Sequence, residues 1–279
     1  MSGFFICEIL SYLQINLGTM KKITIFLSMC LLALVSCSGD DSQPAATGNG
    51  TRLVKIVSNL PNEGQYISTF HYNGIFLSHV IHSTGLRNVY SYTGMLITRS
   101  DVYNSANVLV KAQSYEYDDQ ERVVLCKSLN LVNSTGYKVV LTYDADGNAV
   151  VVEKFTGDLV NQDTPFDNKI SKYFFEGELT VRKEITNLNT SEVTNYDLAY
   201  DVKNFSFKNI PGYSKILLAG ASNAQTTQNL VLETEIDEDS SARTYSHTYT
   251  YNAMNYPLTS VFKDDSSGEV WGMDTFFYE

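Results

Sequence analysis

The stretch Leu141-Thr142-Tyr143-Asp144-Ala145-Asp146-Gly147 places an aliphatic and an aromatic side chain two residues apart, then follows them with Asp and Gly. Residues at i and i+2 of an extended segment share a face, and Asp and Gly accept the positive φ of a tight reversal. The same order returns in Phe70-His71-Tyr72-Asn73-Gly74, Tyr90-Ser91-Tyr92-Thr93-Gly94, Tyr115-Glu116-Tyr117-Asp118, Tyr173-Phe174-Phe175-Glu176-Gly177, Leu198-Ala199-Tyr200-Asp201 and Tyr249-Thr250-Tyr251-Asn252. The second ring of each stands at 72, 92, 117, 143, 175, 200 and 251. The spacing defines a unit of about 25 residues, with one degenerate unit expected between Tyr200 and Tyr251. Each unit reads as a β-hairpin. A lone hairpin is marginal in water, so the units must pair edge to edge. The expectation is an all-β fold: an antiparallel meander of about 14–16 strands in an extended or curled sheet. Pro211 to Ala219 is the one place where a short helical turn is expected.

Upstream of Thr51 the pattern stops. Ser38-Gly39-Asp40-Asp41-Ser42-Gln43-Pro44 and Ala45-Ala46-Thr47-Gly48-Asn49-Gly50 have almost nothing to bury and read as a flexible tether. Before it, Met20-Lys21-Lys22 opens a charged stretch, and Ile23 to Val35 is apolar except for Thr24 and Ser28. That is the layout of a secretory signal, and it falls short of the roughly 20 apolar residues that a membrane-spanning helix needs. The run ends in Leu34-Val35-Ser36-Cys37, which resembles the lipobox of bacterial lipoproteins. The resemblance implies cleavage before Cys37 and a lipid anchor on it. The chain is therefore divided into 1–19, an extension ahead of the start expected at Met20; 20–36, a signal peptide; 37–50, the tether; and 51–279, a single hairpin domain. Of the four cysteines, only Cys126 belongs to that domain, where Val123-Val124-Leu125-Cys126 reads as a buried strand.

Two wider resemblances attach to these residues. The tandem Tyr-Asp-turn-Gly pattern, clearest in Tyr143-Asp144-Ala145-Asp146-Gly147-Asn148, resembles the YD repeats of Rhs-type proteins at the level of the hairpin. Tyr92-Thr93-Gly94-Met95-Leu96-Ile97-Thr98, the stretch from Tyr200-Asp201 to Pro211-Gly212-Tyr213, and Tyr249-Thr250-Tyr251-Asn252 to Tyr256-Pro257 resemble small Bacteroidota lipoproteins of the outer membrane. Ser206 stands where that likeness leads one to expect proline. This resemblance implies a compartment and a fold, and it brings no activity.

The net charge of −11, from 31 acidic and 20 basic residues, excludes a nucleic-acid partner, which needs clustered lysine and arginine. No catalytic motif is legible, no cofactor is expected, and three candidate sites dissolve on inspection. With Asn73-Gly74 as the two-residue turn, His71 faces Phe76. His79 then falls on the opposite face, and His82 lies about 20 Å along the strand, so no metal site is expected from these histidines. Asp144-Ala145-Asp146-Gly147-Asn148 opens like an EF-hand loop, but Ala149 and Phe155 break that pattern. Glu235, Asp237, Glu238 and Asp239 read as a solvated loop. What remains is an excess of amphipathic rings, 19 Tyr and one Trp. A contact surface built from Tyr72, Tyr92, Tyr117, Tyr143, Tyr251 and Trp271 is expected, since such rings offer broad apolar area with a polar tip. The leading expectation is a binding or scaffold module for glycan, peptide or a neighbouring envelope protein, held to the membrane through lipid on Cys37. The alternative is an envelope hydrolase.

Overall fold

The computed structural model describes residues 51–279 apart from 62 and 220–225. The expected extension, signal peptide, tether and lipid-bearing Cys37 lie outside the described residues. The strands are β1 (Leu53–Leu60), β2 (Gly64–Asn73), β3 (Phe76–His82), β4 (Arg87–Thr93), β5 (Leu96–Tyr103), β6 (Leu109–Tyr117), β7 (Val123–Asn130), β8 (Thr135–Tyr143), β9 (Ala149–Gly157), β10 (Thr164–Glu176), β11 (Leu179–Asn187), β12 (Val193–Tyr200), β13 (Leu230–Ile236), β14 (Ala242–Tyr251), β15 (Pro257–Asp264) and β16 (Val270–Tyr278). Each pairs antiparallel with its neighbour in sequence, as a meander must.

The expected open or curled sheet is corrected. The sixteen strands form a closed barrel in which β16 pairs with β1, Lys55 opposite Phe277 and Ser58 opposite Asp274. Arg52 and Glu279 exchange backbone hydrogen bonds of 3.2 and 3.0 Å just beyond the seam. Closure has a direct physical reason. An open meander leaves two rows of unpaired N–H and C=O groups, and joining first strand to last removes both edges at once.

The second ring of every motif closes an even-numbered strand, β2 to β14, and all these strands end at one mouth of the barrel. There the tyrosines point inward and tie adjacent strands together. The hydroxyls of Tyr72, Tyr117, Tyr200 and Tyr249 donate to the carbonyls of Leu53, Ile97, Thr180 and Leu230 at 2.7, 2.6, 2.7 and 3.1 Å. Each acceptor is the first or second residue of the preceding strand. Burial pushes the hydroxyls of Tyr92 and Tyr143 up to about 12.

The long gap after Tyr200 is also corrected. Among its described residues there is no degenerate hairpin before β13. Residues 201–219 and 226–229 of the β12–β13 connection lie at this mouth, the first of these as a plug. Phe205, Phe207, Ile210, Tyr213, Ile216, Leu217 and Leu218 join wall residues such as Phe70, Leu77, Ile97, Cys126 and Val139 in one core. The expected helical turn is present as a 3₁₀ turn at Ser214–Ile216. Gly212, at φ +69°, passes so close to the β4–β5 turn that a Cβ there would stand 2.7 Å from the carbonyl oxygen of Met95. Both ends of the connection are knotted on Asp201, which accepts from the Tyr251 hydroxyl, from the Lys203 amide at 2.9 Å and from Asn229 Nδ2 at 3.2 Å.

The outer face of the wall carries charge at mid-strand. Arg99 pairs with Asp101 and Arg182 with Glu184, each at 2.7 Å, with both arginines about half exposed. Lys127 stands opposite Lys138, and Lys55 sits 3.8 Å from the Phe277 ring centre. The histidine geometry also needs correction. The β2–β3 turn is Gly74-Ile75, one residue later than expected, and a bulge falls between His71 and Tyr72. His71 therefore lies opposite His79 on the outer face, with the rings stacked at 4.5 Å. His82 is buried on the inner face, bonded to Ser68 at 3.0 Å, so the three histidines do not gather.

Candidate functional site

Beyond the plug, the inner face of β11 to β16 turns from apolar to polar and aromatic. The register sets Lys183 opposite Tyr196, Tyr196 opposite Glu235, Glu235 opposite Arg243, and Tyr245 opposite both Glu233 and Asp264. Directly opposed residues share a face, and Lys183 also opposes Tyr173 of the core, so the whole row looks into the lumen.

The row is braced by its own contacts. Glu235 accepts from the hydroxyls of Tyr196 at 3.0 Å and Tyr245 at 3.2 Å. Arg243 donates through Nε to Asp264 at 3.1 Å and again through Nη2, and its guanidinium lies over the rings of Tyr245 and Trp271 at 5.3 and 5.9 Å. Ser266 and Arg243 hold the Asp264 carboxyl well below the usual carboxylate range. Lys183 is almost fully buried, with its ammonium 3.8 Å from the Tyr196 ring centre. Burial lowers its pKa and nearby Lys154 lowers it further, while Glu233 and Glu235 oppose the shift.

Trp271 completes the row. The register shifts between Phe262 and Lys263, a bulge in the β15–β16 pairing that turns Trp271 toward the rings of β14 and β15. Its indole packs on Tyr245 at 5.2 Å and edge-on to Phe262 at 5.3 Å, and it remains 38% exposed. Next along β14, His247 stacks on Phe262 at 4.4 Å, and burial pushes its pKa well below the ordinary value. Its Nδ1 has no hydrogen-bond partner. A separate cavity of about 20 Å³, between the plug and Ser58, Ser260 and Asp274, is too small for an organic ligand.

The expected contact tyrosines do not gather on an outer surface. Tyr72, Tyr92, Tyr117 and Tyr143 are half-buried against the core at the plugged mouth, and Arg122 caps the Tyr143 ring at 4.2 Å. Tyr251 is engaged with Asp201. Of that set, only Trp271 stands with polar groups at the other mouth. The solvated loop expected over Glu235 to Asp239 is corrected in part. Asp237, Glu238 and Asp239 do form the β13–β14 turn, whereas Glu235 belongs to β13 and faces inward. The available signal was Glu233-Thr234-Glu235 facing Arg243-Thr244-Tyr245 across that turn.

No family model matches the chain, and no curated protein matches it in sequence. Among solved structures, the fold is similar to a porin-like protein from Bacteroides vulgatus ATCC 8482, with a TM-score of 0.50 and 10% identity over 82% of this chain and 99% of that one. A porin-like protein from Bacteroides uniformis ATCC 8492 aligns with a TM-score of 0.48 and 12% identity over 84% of this chain and all of the other.

Proposed function

We propose that the chain is a lipid-tethered envelope protein whose barrel binds a glycan at the open end of its lumen. The observation that carries the reading is Trp271, an inward indole left 38% exposed beside Tyr245, Glu235 and Arg243. Sugar C–H faces pack on an indole, while ring hydroxyls bond carboxylates and guanidinium. The envelope setting is supported by the lipobox-like Leu34-Val35-Ser36-Cys37 and by the Bacteroides origin of the porin-like neighbour. Attachment rather than insertion is supported by the charged wall. A lipid-facing barrel presents an apolar band, and Lys or Arg at its midplane costs about 2–4 kcal/mol each.

Trp271 is the single tryptophan of the chain, so its emission reports ligand directly. Titration with envelope polysaccharides and their oligosaccharides is expected to shift and saturate that emission. An unchanged spectrum across the panel, together with no retention on immobilised polysaccharide, overturns the reading. The hydrolase alternative rests on the same inward pair, Glu233 and Glu235, and predicts new reducing ends during the titration. For the anchor, labelled palmitate is expected in the wild type and lost in Cys37→Ser; equal label in both removes it.

A further inference from the structure

At the plugged mouth, four turn tips carry exposed apolar side chains: Val202 at 89%, Ile75 at 54%, Met95 at 52% and Met254 at 51%. They are consecutive around the rim. Val202 opens the plug and lies beside the β14–β15 turn, where Asn204 Nδ2 donates to the Met254 carbonyl at 2.8 Å. The termini follow, then Ile75 in the β2–β3 turn and Met95 in the β4–β5 turn. Thr51, where residues 37–50 meet the barrel, therefore sits in the middle of the arc. Lys208 is exposed beside it and Lys203 is half-exposed, while Arg52 is ion-paired with Glu279 at 3.4 Å and adds no net charge. The opposite half of the same rim is acidic and apolar-poor, with Asp119, Asp144, Asp146 and Glu178 all exposed.

We infer that this arc of Val202, Met254, Ile75 and Met95, flanked by lysines, docks the barrel onto the lipid surface that holds its tether. The inference rests on the tethered reading of Cys37. A flexible coil as long as the expected tether, 13 residues, would reach roughly 20 Å, which would keep the rim within touching distance of the headgroups. Cations beside apolar tips suit an anionic bilayer surface, and the acidic half-rim is held off it, so the barrel leans toward its own anchor. The far mouth also bears apolar tips, Val108, Val132, Val160 and Leu188, but its rim carries the exposed Asp158, Asp163, Asp237 and Glu238, which an anionic surface repels. Docking by the plugged mouth leaves the Trp271 mouth pointing away from the membrane.

The test uses the whole chain with Cys7→Ser and Cys30→Ser, attached through Cys37 to phosphatidylethanolamine/phosphatidylglycerol vesicles with brominated acyl chains. Attachment is by its own acyl groups or, for protein recovered unacylated, by a maleimide-bearing lipid, so docking is read whether or not the cell acylates Cys37. In a Trp271→Phe background, Met95→Trp and Met254→Trp are expected to lose at least half their emission, while Val132→Trp, and Trp271 in the parent, keep theirs. Full emission at both 95 and 254, or equal quenching at 132, overturns docking by this end.

Discussion

The same strands line both mouths of the lumen, yet the two halves are built differently. At the plugged mouth, tyrosine hydroxyls spend themselves on backbone carbonyls and the space between is filled by Phe205, Phe207 and Leu217. At the open mouth the polar groups satisfy one another, Glu235 with two phenols and Arg243 with Asp264. The first half resembles a protein core and the second a preorganised binding surface. The difference teaches that this barrel keeps its packed core and its polar inward row at opposite ends of the same strands.

The comparison breaks first at the plug. Phe207 stacks on Tyr213 at 4.6 Å and touches Phe70, so Phe207→Ala is expected to cost about 3–5 kcal/mol in denaturant unfolding. A loss under about 1 kcal/mol would make the plug mere filling. The next effect separates the halves by pH. Folded His247 resists protonation, whereas the unfolded side chain takes a proton below about pH 6.5, so stability falls as pH falls through that value. The slope contributed is up to about 1.4 kcal/mol per pH unit. His247→Phe is expected to remove that component while leaving stability at pH 7 equal or higher, because an unpartnered buried nitrogen disappears. An unchanged slope in urea titrations at pH 7, 6 and 5 refutes the assignment.

Trp271→Ala sharpens the contrast from the other side. Glycan retention should fall at least tenfold, about 1.4 kcal/mol, with the cooperative unfolding transition preserved. A smallest effect is expected from Tyr117→Phe, which strands the Ile97 carbonyl and should cost about 0.5–1.5 kcal/mol with no change in ligand titration. Altered binding in that variant would show that the two halves are coupled.

Much of the plugged half was legible in the sequence. Aromatics at i and i+2 before an Asx or Gly turn mark strand ends through local geometry, and every such motif closes a strand. The β2–β3 hairpin shows the limit, since Tyr72 opposes Leu77 but His71 opposes His79, and the one extra residue of that bulge exchanges the faces and brings His71 onto His79. Closure was not legible because Leu53–Leu60 and Val270–Tyr278 carry no mark that distinguishes an edge pair from any other. Nor was the plug, whose Phe205, Phe207 and Leu217 are ordinary apolar residues until the lumen gives them a partner. The open-mouth site depends on cross-strand registers from Lys183 to Trp271, and no linear spacing encodes them.

The seam between β1 and β16 carries a consequence for biogenesis. A chain made amino end first presents the free flank of Leu53–Leu60 early and cannot cover it until Val270–Tyr278 has followed, after every other strand of the barrel. During that interval the half-made wall is a growing ribbon with a naked border, the kind of surface on which stray strands nucleate. Completion is also a long-range encounter, slow by the entropy of bringing distant segments together. A holding chaperone that masks β1 until the last strand arrives would shorten the list of ways this molecule goes astray, and chains truncated before Val270 should aggregate rather than fold.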